Sequence, residues 1–557
     1  MNNRRYMKLT IAVGILISPM FVGSHSSVAE EPKPFTFDVP IFEEQAASAG
    51  IDHMYSGPWE YFVGGGAASL DCNGDRLPDL FLAGGTNPAQ LYVNRSTAGG
   101  DLSFEKKDIG LSGMDLTKVL GAYPIDIDND GRGDLVILRL GENLLLKGGP
   151  DCTFTKVNRQ FTFEGGRAWT TSFSAIWEKE QSFPTLAFGN YVDRTAPGSP
   201  WGTCHDNMLY RPNEGSVPDY SEASPLSPGY CALSILFTDW NRSGEPALRV
   251  TNDRQYYRGG QEQLWSVSPG RAARQYRARD GWKSIKIWGM GIAEADLDND
   301  GRPEYALTSM GDTKLQALSD EAQEDRPVYT DVAFEKGATA HRPYTGEDFK
   351  PSTGWHTQFA DFNNDGKTDL FIAKGNVEAM PDFAAFDPDN LLLGNGHGGF
   401  TEKGDIAGIA LDRRGRGAVV EDFNADGQLD LLVVNRKGPA SLFRNLGVKV
   451  DWGYRPMGNW VSIELRNGEV NRNAIGARIT VKTGNHSQTR TVQIGGGHAS
   501  GQVGFVHFGV GVAERASVRI QWPDGDWSHE YRVFANNFAV IERGKDKASY
   551  WYPIEKK

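Results

Sequence analysis

The sequence predicts an all-β protein, a seven-bladed β-propeller followed by a small C-terminal β-domain. Three observations predict this fold class: an acidic loop, D-x-[DN]-x-D-G-x-x-[DE], recurs along the chain, buried-strand patterns flank each copy, and the copies are nearly evenly spaced. With 557 residues, the chain exceeds the size of one ordinary hydrophobic core. A ring built from repeats, with an accessory domain, accounts for that length.

The spacing of the loops predicts the number of blades. Successive first acidic residues are separated by 55, 113, 57, 65 and 61 residues, and a period of this length suits a four-stranded blade. The gap of 113 is nearly twice the others, so a unit without the acidic motif is expected there, with Trp177 to Pro184 in place of the loop. That unit brings the count to seven. The first acidic residues are Asp71, Asp126, Asp239, Asp296, Asp361 and Asp422.

Strand patterns on both sides of each loop support the same architecture. An apolar or small-residue run such as LGAYPI precedes a loop, and a β-branched or aliphatic run such as LVILRL follows it. The 66 glycines are spread along the chain, as closely spaced turns require. Each loop is therefore expected to join two buried strands of one blade.

The acidic loop has the composition of a calcium site. Ca²⁺ prefers about six to eight oxygen ligands, and the loop offers side-chain oxygens at positions 1, 3, 5 and 9 with a glycine at position 6 for a sharp turn. An EF-hand is excluded because position 12 falls inside a strand, and Mg²⁺ is less suited because it prefers smaller octahedral sites. The predicted calcium ligands are Asp71, Asn73, Asp75 and Asp79; Asp126, Asp128, Asp130 and Asp134; Asp296, Asp298, Asp300 and Glu304; Asp361, Asn363, Asp365 and Asp369; and Asp422, Asn424, Asp426 and Asp430.

Two copies depart from the pattern. In the first, Arg76 replaces the glycine at position 6, so a strained turn is expected. The copy that begins at Asp239 has Asn241 and Ser243 but Ala247 at position 9, which leaves its metal binding open. Asp, Asn and Gly also form ordinary turns, but five copies with oxygen donors at all four positions favour metal sites over turns alone.

The acidity of the chain agrees with a metal-binding role. The net charge is −13, and the five complete loops alone carry 17 carboxylates. A nucleic-acid partner is disfavoured because such binding needs clustered Lys and Arg.

The N-terminus predicts export. Residues 1–29 combine basic residues (Arg4, Arg5, Lys8), an apolar stretch and a small-residue cleavage site at 27–29, which together indicate a signal peptide. The apolar stretch is shorter than a spanning helix needs, although an uncleaved anchor is the alternative. No membrane span is expected after cleavage, so the protein is placed in the periplasm or outside the cell.

Four cysteines in an exported chain allow three disulfide pairings. Sequence order suggests Cys72 with Cys152 and Cys204 with Cys231, and free buried thiols are the alternative.

The loops resemble the FG-GAP/VCBS repeat, a calcium-binding propeller unit, and the C-terminal segment looks like the ASPIC/UnbV domain of the cartilage acidic protein type of family. After the signal peptide at 1–29, the resemblance implies a propeller over 30–449 and an ASPIC/UnbV-type domain over 450–557. Members of this family are mostly extracellular, calcium-binding or adhesion-like proteins without an assigned reaction, and the resemblance implies a similar role here. The residues that match the ASPIC/UnbV pattern are Asn471, Arg472, Gly476, Ala477, Arg478, Gly497, Gln502, His507, Phe508, Gly509, Trp522, Pro523 and Gly525.

Residues 459–543, taken without the family, alternate apolar and polar positions between turns, which predicts a small antiparallel domain packed on the last blade.

Several histidines could take part in chemistry. His356 precedes a predicted calcium loop, with His341 and Glu347 upstream, and His498 and His507 lie nine residues apart. None has a recognisable ligand spacing, so structural roles are favoured over catalysis or a second metal.

Two further segments could contact a ligand or the rim of the channel. One follows a strand and combines polar and aromatic groups, and the other is an acidic insertion between two strands; blade packing and a solvated loop are the respective alternatives. Their residues are Asn252, Asp253, Arg254, Tyr256 and Tyr257 in the first, and Glu378, Asp382, Asp387 and Asp389 in the second.

The sequence therefore favours an exported calcium-binding propeller that acts as a binding module for a protein, glycan or small ligand. The alternative is an extracytoplasmic enzyme with a site at the channel or domain junction, using His356 or His507 with a second metal. A purely structural adhesin is a third interpretation. Familiar hydrolase, zinc-protease and nucleotide-binding motifs do not occur in the sequence.

Overall fold

The computed structural model describes residues 39–254, 259–339, 350–378, 380–384 and 387–553. The predicted signal peptide, His341, Glu347, Tyr256 and Tyr257 lie outside these residues. The all-β prediction is confirmed, with 43% strand and 3% helix. The described helices are short: α1 (Ala333–Lys336), α2 (Gly404–Ala407) and 3₁₀ turns at Trp59–Tyr61, Pro150–Cys152 and Ala278–Asp280.

Seven sheets follow one another in the described part of the chain, each with four antiparallel strands and the first with an additional parallel strand, and we number them 1 to 7 in chain order. A short N-terminal strand, β1 (Phe42–Glu44), precedes them and forms the outer edge of sheet 7. Sheets 1 to 3 contain β2 (Ala67–Leu70), β3 (Asp79–Leu82), β4 (Gln90–Asn94) and β5 (Phe104–Lys107); β6 (Val119–Ile125), β7 (Asp134–Arg139), β8 (Leu144–Gly148) and β9 (Phe154–Lys156); and β10 (Thr170–Ile176), β11 (Thr185–Asn190), β12 (Asn207–Tyr210) and β13 (Ala223–Leu226).

The remaining four sheets repeat this arrangement. Sheets 4 to 7 contain β14 (Ala232–Thr238), β15 (Ala247–Asn252), β16 (Gln263–Ser266) and β17 (Arg274–Gln275); β18 (Gly289–Ala295), β19 (Glu304–Ser309), β20 (Lys314–Leu318) and β21 (Tyr329–Asp331); β22 (Gly354–Ala360), β23 (Asp369–Lys374), β24 (Asn390–Gly394) and β25 (Phe400–Glu402); and β26 (Gly415–Glu421), β27 (Asp430–Asn435) and β28 (Ser441–Asn445).

The sheets close into a ring. The first strand of each sheet contacts the first strand of the next, and β26 of sheet 7 contacts β2 of sheet 1. Sheet 7 is completed by β1, which pairs antiparallel with β28, so the two ends of the ring share one sheet. The first strands are enclosed by neighbours on both sides, and every residue of β6, β14 and β26 is buried. This burial explains why their sequences are continuous apolar or small runs instead of alternating ones.

Two disulfides join neighbouring sheets. Cys72, in the loop of sheet 1, pairs with Cys152 of sheet 2, and Cys204 pairs with Cys231 between sheets 3 and 4. The pairing suggested by sequence order is confirmed.

Two further four-stranded sheets form the C-terminal domain, after a hairpin of β29 (Val448–Val450) and β30 (Gly453–Arg455). The sheet orders are β35-β31-β38-β39 and β33-β32-β36-β37, and the two enclose one apolar core. The strands are β31 (Asn459–Arg466), β32 (Arg478–Thr483), β33 (His486–Thr491), β34 (Gly501–Gln502), β35 (Val506–Gly511), β36 (Arg515–Gln521), β37 (Tyr531–Phe534), β38 (Asn537–Glu542) and β39 (Ser549–Trp551).

The expectation of an antiparallel domain is wrong for one pair of strands, whereas its packing on the last blade is observed through Ala425, Trp460 and Phe538. The strand β38 pairs parallel with β31, because the chain crosses the domain before it returns to the centre of that sheet. The domain also contacts several sheets of the ring, as described below.

Residues 493–502, which we call the channel segment, leave β33 and enter the centre of the ring. The Gly496 amide donates to the Ile235 carbonyl at 2.9 Å and the Gly497 amide to that of Ile292 at 2.7 Å, while β34 pairs parallel with β2. From the opposite mouth, the Gly64 amide reaches Nε2 of His498 at 3.1 Å. The chain itself therefore occupies the middle of the ring from both sides. Within the described residues, no helix is long and apolar enough to cross a membrane.

Candidate metal centres

Six acidic loops lie at one face of the ring, which we call the loop face, each joining the first and second strands of its sheet. They share one backbone conformation, with left-handed φ at positions 4 and 6. Glycine at position 6 suits this conformation. In sheet 1, Arg76 adopts it at φ 67°, which is the strained turn expected from the sequence. The remaining left-handed pairs are Asn129 and Gly131, Arg242 and Gly244, Asn299 and Gly301, Asn364 and Gly366, and Ala425 and Gly427, with Gly74 at position 4 of sheet 1.

The carboxylate at position 1 closes the loop by accepting hydrogen bonds from backbone amides later in the loop. Asp422 accepts the amides of Asp426 at 3.0 Å and Gly427 at 2.7 Å, and Asp126 accepts the equivalent two amides at 3.0 Å each. Position 5 accepts the amide two residues later in the same way, as in Asp426. These bonds fold the loop so that its remaining oxygens converge.

The carboxylate at position 9 ties the loop to the sheet. In sheet 2, Asp134 accepts the Ile127 amide through Oδ2 at 2.9 Å and the Gly148 amide through Oδ1 at 2.8 Å. The equivalent Asp79, Asp369 and Asp430 make the same pair of bonds, and Glu304 accepts the Leu297 amide. Position 9 therefore holds the second and third strands together besides offering oxygen to an ion.

The oxygens left over suit a cation. In sheets 2 and 5, one oxygen from each of three carboxylates lies within 4.8 Å of the others, and Asp128 Oδ1 and Asp296 Oδ1 are buried without a hydrogen-bond partner. Asn424 Oδ1 in sheet 7 is buried in the same state. Buried acceptors without donors are costly unless a cation or water completes them. The residues therefore fit a hard divalent ion such as Ca²⁺.

Burial and mutual repulsion raise the pKa of the clustered carboxyls. Desolvation, the larger cause, raises the pKa of Asp134 and Glu304 to about 8 and that of Asp361 to about 7. The neighbouring carboxylates of each loop raise these pKa values further, and a cation would offset both effects.

The departures from the motif have clear structural consequences. In sheet 4, Ala247 begins β15 and supplies no oxygen, although Asp239 still accepts the Gly244 amide at 3.1 Å. In sheet 3, the segment expected to replace the loop does lie between β10 and β11. There Glu178 accepts Arg211 Nε at 2.6 Å and Thr185 Oγ1 at 2.7 Å. A guanidinium thus provides a permanent cation in the sheet that lacks the motif, which the sequence could not show because Arg211 lies outside the loop.

A lysine side chain pairs with carboxylates of the loop in sheet 2. Lys147, in β8, places Nζ 2.7 Å from Asp130 Oδ2 and also contacts Asp128, two of the predicted calcium ligands. These carboxylates hold the pKa of the Lys147 ammonium above its usual value, so it remains charged.

Substitution Lys147→Gln is expected to tighten calcium binding at sheet 2 by roughly three- to tenfold, because a cation no longer occupies the same carboxylates. Calorimetric calcium titration at low ionic strength measures the change. Lys156→Gln is the control, since Lys156 pairs with Asp115 and Glu142 away from the loop. Equal affinity in the two variants would refute the competition.

The buried histidines hold the centre of the molecule together. His356 Nδ1 accepts the His498 amide at 3.1 Å, and the His498 ring accepts from Gly64 and donates to the Met290 carbonyl. His507 Nε2 donates to Asn364 Oδ1 at 2.7 Å and Nδ1 accepts from Ser462. Both ring nitrogens of His498 and of His507 are thus engaged within the chain, which favours the structural interpretation.

The buried histidines are expected to make folding sensitive to acid. Burial lowers the pKa of His498 to about 3, whereas an unfolded histidine titrates near 6.5. The unfolded chain therefore takes up a proton below pH 6.5 that the folded chain refuses, so stability falls as pH drops. Between pH 7 and 5 the loss is about 2 kcal/mol for such a histidine.

Urea denaturation of wild type and His498→Gln at both pH values measures this loss, which the variant should lack. The exposed His397→Gln should behave as wild type. An identical pH response in all three proteins would contradict the assignment.

The other two candidate segments contribute mainly to packing. Asp253 accepts from Tyr191, and Arg254 donates to Tyr191 at 2.9 Å. In the acidic insertion, Glu378 pairs with Arg436, Asp387 with Lys374, and Asp389 accepts the Lys374 amide. Asp387 and Asp389 are buried, whereas Asp382 is exposed, so the insertion is only partly a solvated loop.

Family models match three stretches of the chain. The FG-GAP-like repeat matches residues 71–137 and 361–433, and the ASPIC and UnbV model matches residues 467–548. These matches, with the ring of four-stranded sheets, define a propeller-like repeat protein. The chain carries FG-GAP-like repeats and a C-terminal ASPIC/UnbV domain, and the resemblance is confirmed.

Among curated proteins, the chain is similar to cartilage acidic protein 1. It is 28% identical to the Mus musculus protein over 278 residues, 48% of this chain and 39% of the relative. It is 28% identical to the Homo sapiens protein over 244 residues, 42% of this chain and 33% of the relative. The matched region thus spans well under half of either relative. Among solved structures, BBS1N in complex with ARL6DN aligns with a TM-score of 0.41 and 10% identity, over 74% of this chain and 98% of that one.

Proposed function

We propose that this protein is an exported calcium-binding propeller that serves as an interaction module for a protein, glycan or small ligand. The observation that supports this most is the recurrence of five acidic loops with one backbone conformation and oxygen donors at positions 1, 3, 5 and 9, in two of which three carboxylates converge. The twenty residues predicted from the sequence would hold the ions, and calcium would stiffen the loops between strands.

The structural contacts of the buried histidines support a binding role over an enzymatic one. The channel segment and the stretch before β2 meet at the centre of the ring, and the buried histidines bond to this chain. Two disulfides favour an oxidising compartment, which supports export after removal of residues 1–29. We place the ring at 30–449 and the C-terminal domain at 450–557.

We place the partner on the face opposite the loop face. Three indoles are exposed there, in segments that precede or connect strands on the side away from the acidic loops: Trp59 at 44%, Trp201 at 62% and Trp288 at 37%. Exposed tryptophans are frequent anchors for proteins, and the flat indole ring also suits stacking.

Metal analysis of the purified mature protein tests the proposal. Calcium at about five equivalents, one for each complete loop, is the expected result. Stoichiometric copper, iron or zinc that is lost in His356→Ala or His507→Ala would instead support the enzyme with a second metal. Failure to bind calcium in a titration would overturn the proposal.

A further inference from the structure

The C-terminal domain rests directly on the tips of the acidic loops. In sheet 2, Asn129 at loop position 4 makes two hydrogen bonds to the domain, each 2.8 Å long. Its Oδ1 accepts the Asn471 amide, and its backbone carbonyl accepts Nε of Arg472. In sheet 1, Arg76 at position 6 pairs with Glu464 at 3.1 Å.

Sheets 6 and 7 are more deeply covered. The Asn364 carbonyl accepts the Gly511 amide at 2.9 Å, and its Oδ1 accepts from His507. The Trp460 ring lies so close to Gly427 that a Cβ there would come within 1.7 Å of Nε1. The loops of these two sheets are almost fully buried, whereas positions 3 to 6 of sheet 5 are exposed.

Most of these contacts fall at loop positions 4 to 6, the part that the metal ligands shape, and in sheet 6 Gly509 also lies against the position 1 carboxylate of Asp361. Positions 4 and 6 hold their left-handed conformations because positions 1 and 5 draw the backbone inward. An ion between those carboxylates would fix the same geometry. Sheet 5 provides a contrast: its Gly301 carbonyl accepts Arg242 of sheet 4, and none of the hydrogen bonds found among the described residues joins its positions 4 to 6 to the C-terminal domain.

The same domain carries the channel segment. The amides of Gly496, Gly497 and His498 all donate to groups of the ring, so their protection reports whether the segment is in place. Displacement of the domain would withdraw the segment, because only Val492 separates it from the end of β33.

We propose that calcium in the loops of sheets 1, 2, 6 and 7 fastens the C-terminal domain to the ring and thereby keeps the channel closed. The inference rests on the proposed calcium binding. The loop face is then an intramolecular docking surface for the ASPIC/UnbV domain. Calcium occupancy of these four loops would control access to the channel.

A pair of matched variants tests this fastening in the full mature chain. Asp365→Ala removes the position 5 ligand of sheet 6, under the domain, and Asp300→Ala removes the same ligand from exposed sheet 5. In saturating calcium, each should lose one calcium equivalent. Amide exchange over 493–502, followed by mass spectrometry, should accelerate at least about tenfold in Asp365→Ala and stay unchanged in Asp300→Ala.

Equal exchange in the two variants, with one calcium lost from each, would overturn the fastening while leaving calcium binding intact. If neither variant loses calcium, the proposed function itself fails and this inference fails with it.

A second pair separates docking from metal binding. Asn364→Gly keeps the calcium ligands and the left-handed backbone but removes the side chain that bonds His507 and the Gly427 carbonyl. Asn299→Gly makes the same change in sheet 5. Calcium content should be unchanged in both, and faster exchange over 493–502 should occur only in Asn364→Gly. Undiminished protection in Asn364→Gly would count against the docking surface.

Discussion

Calcium removal is expected to lower the melting temperature of the mature protein by tens of degrees. A ligand that binds only the folded state stabilises it by about 2.7 kcal/mol for each site when free calcium is one hundred times Kd. Five such sites are comparable with the entire free energy of unfolding of an ordinary protein, about 5–15 kcal/mol. Without the ion, burial and charge repulsion hold the pKa of Asp369, Asp422 and Asp430 well above the usual range, which marks uncompensated desolvation.

Calorimetry and limited proteolysis in calcium and in EGTA measure this effect. Magnesium at the same concentration is the control, because it is expected to restore little of the stability. The raised carboxyl pKa values also set the direction of the pH dependence: the metal-free loops take up protons as pH falls from 8 to 6, so calcium should bind more weakly at pH 6. An unchanged melting temperature and unchanged protease resistance in EGTA would disprove calcium stabilisation.

The acidic loops could be predicted because their information is local. A nine-residue pattern contains the ligands, the glycine at position 6 and the start of the next strand, and the same turn recurs in every copy. The pattern even survives Arg76, which adopts the left-handed conformation that glycine prefers. Periodicity alone also indicated where sheet 3 lies, since an expected loop was missing from the spacing.

The contacts between distant parts of the chain could not be read in the same way. Lys147 reaches the loop of sheet 2 from the third strand, and Arg211 supplies the cation of sheet 3 from the segment after β12. Hydrophobic alternation indicated that residues 459–543 form strands, but it gave no information about which surface they cover. The position of the C-terminal domain depends on contacts between residues hundreds of positions apart, such as Asn129 with Asn471 and Arg76 with Glu464, which no local pattern reveals.

The channel segment is the clearest example. The run GGGHAS marks it in the sequence as unusual, and three consecutive glycines are compatible with many backbone paths. The reason for them appears only in the folded ring. Gly495, Gly496 and Gly497 all have positive φ, and each lies where a Cβ would meet atoms of the ring within 3 Å. Only residues without a side chain fit at these three positions between the sheets.

Substitution Gly497→Ala is therefore expected to destabilise the protein by about 2–4 kcal/mol. Gly497 has φ 53°, and a Cβ would lie 2.3 Å from Cε1 of His356 and 2.6 Å from its Nδ1. The His356 ring would have to move, although its Nδ1 accepts the His498 amide. Backbone strain and the lost hydrogen bond would both lower the stability of the folded protein. They act where the channel segment meets the stretch before β2.

Urea denaturation in saturating calcium measures the loss, and Gly504→Ala is the matched control. Gly504 follows the same segment, and no heavy atom lies within 4 Å of an added Cβ there. The control should retain the stability of wild type. If Gly497→Ala also accelerates amide exchange in β14 and β18, whose Ile235 and Ile292 carbonyls accept from the segment, the segment stabilises the ring itself. Equal stabilities of the two variants would instead show that the centre of the ring adjusts without cost, and the channel would then be only loosely filled.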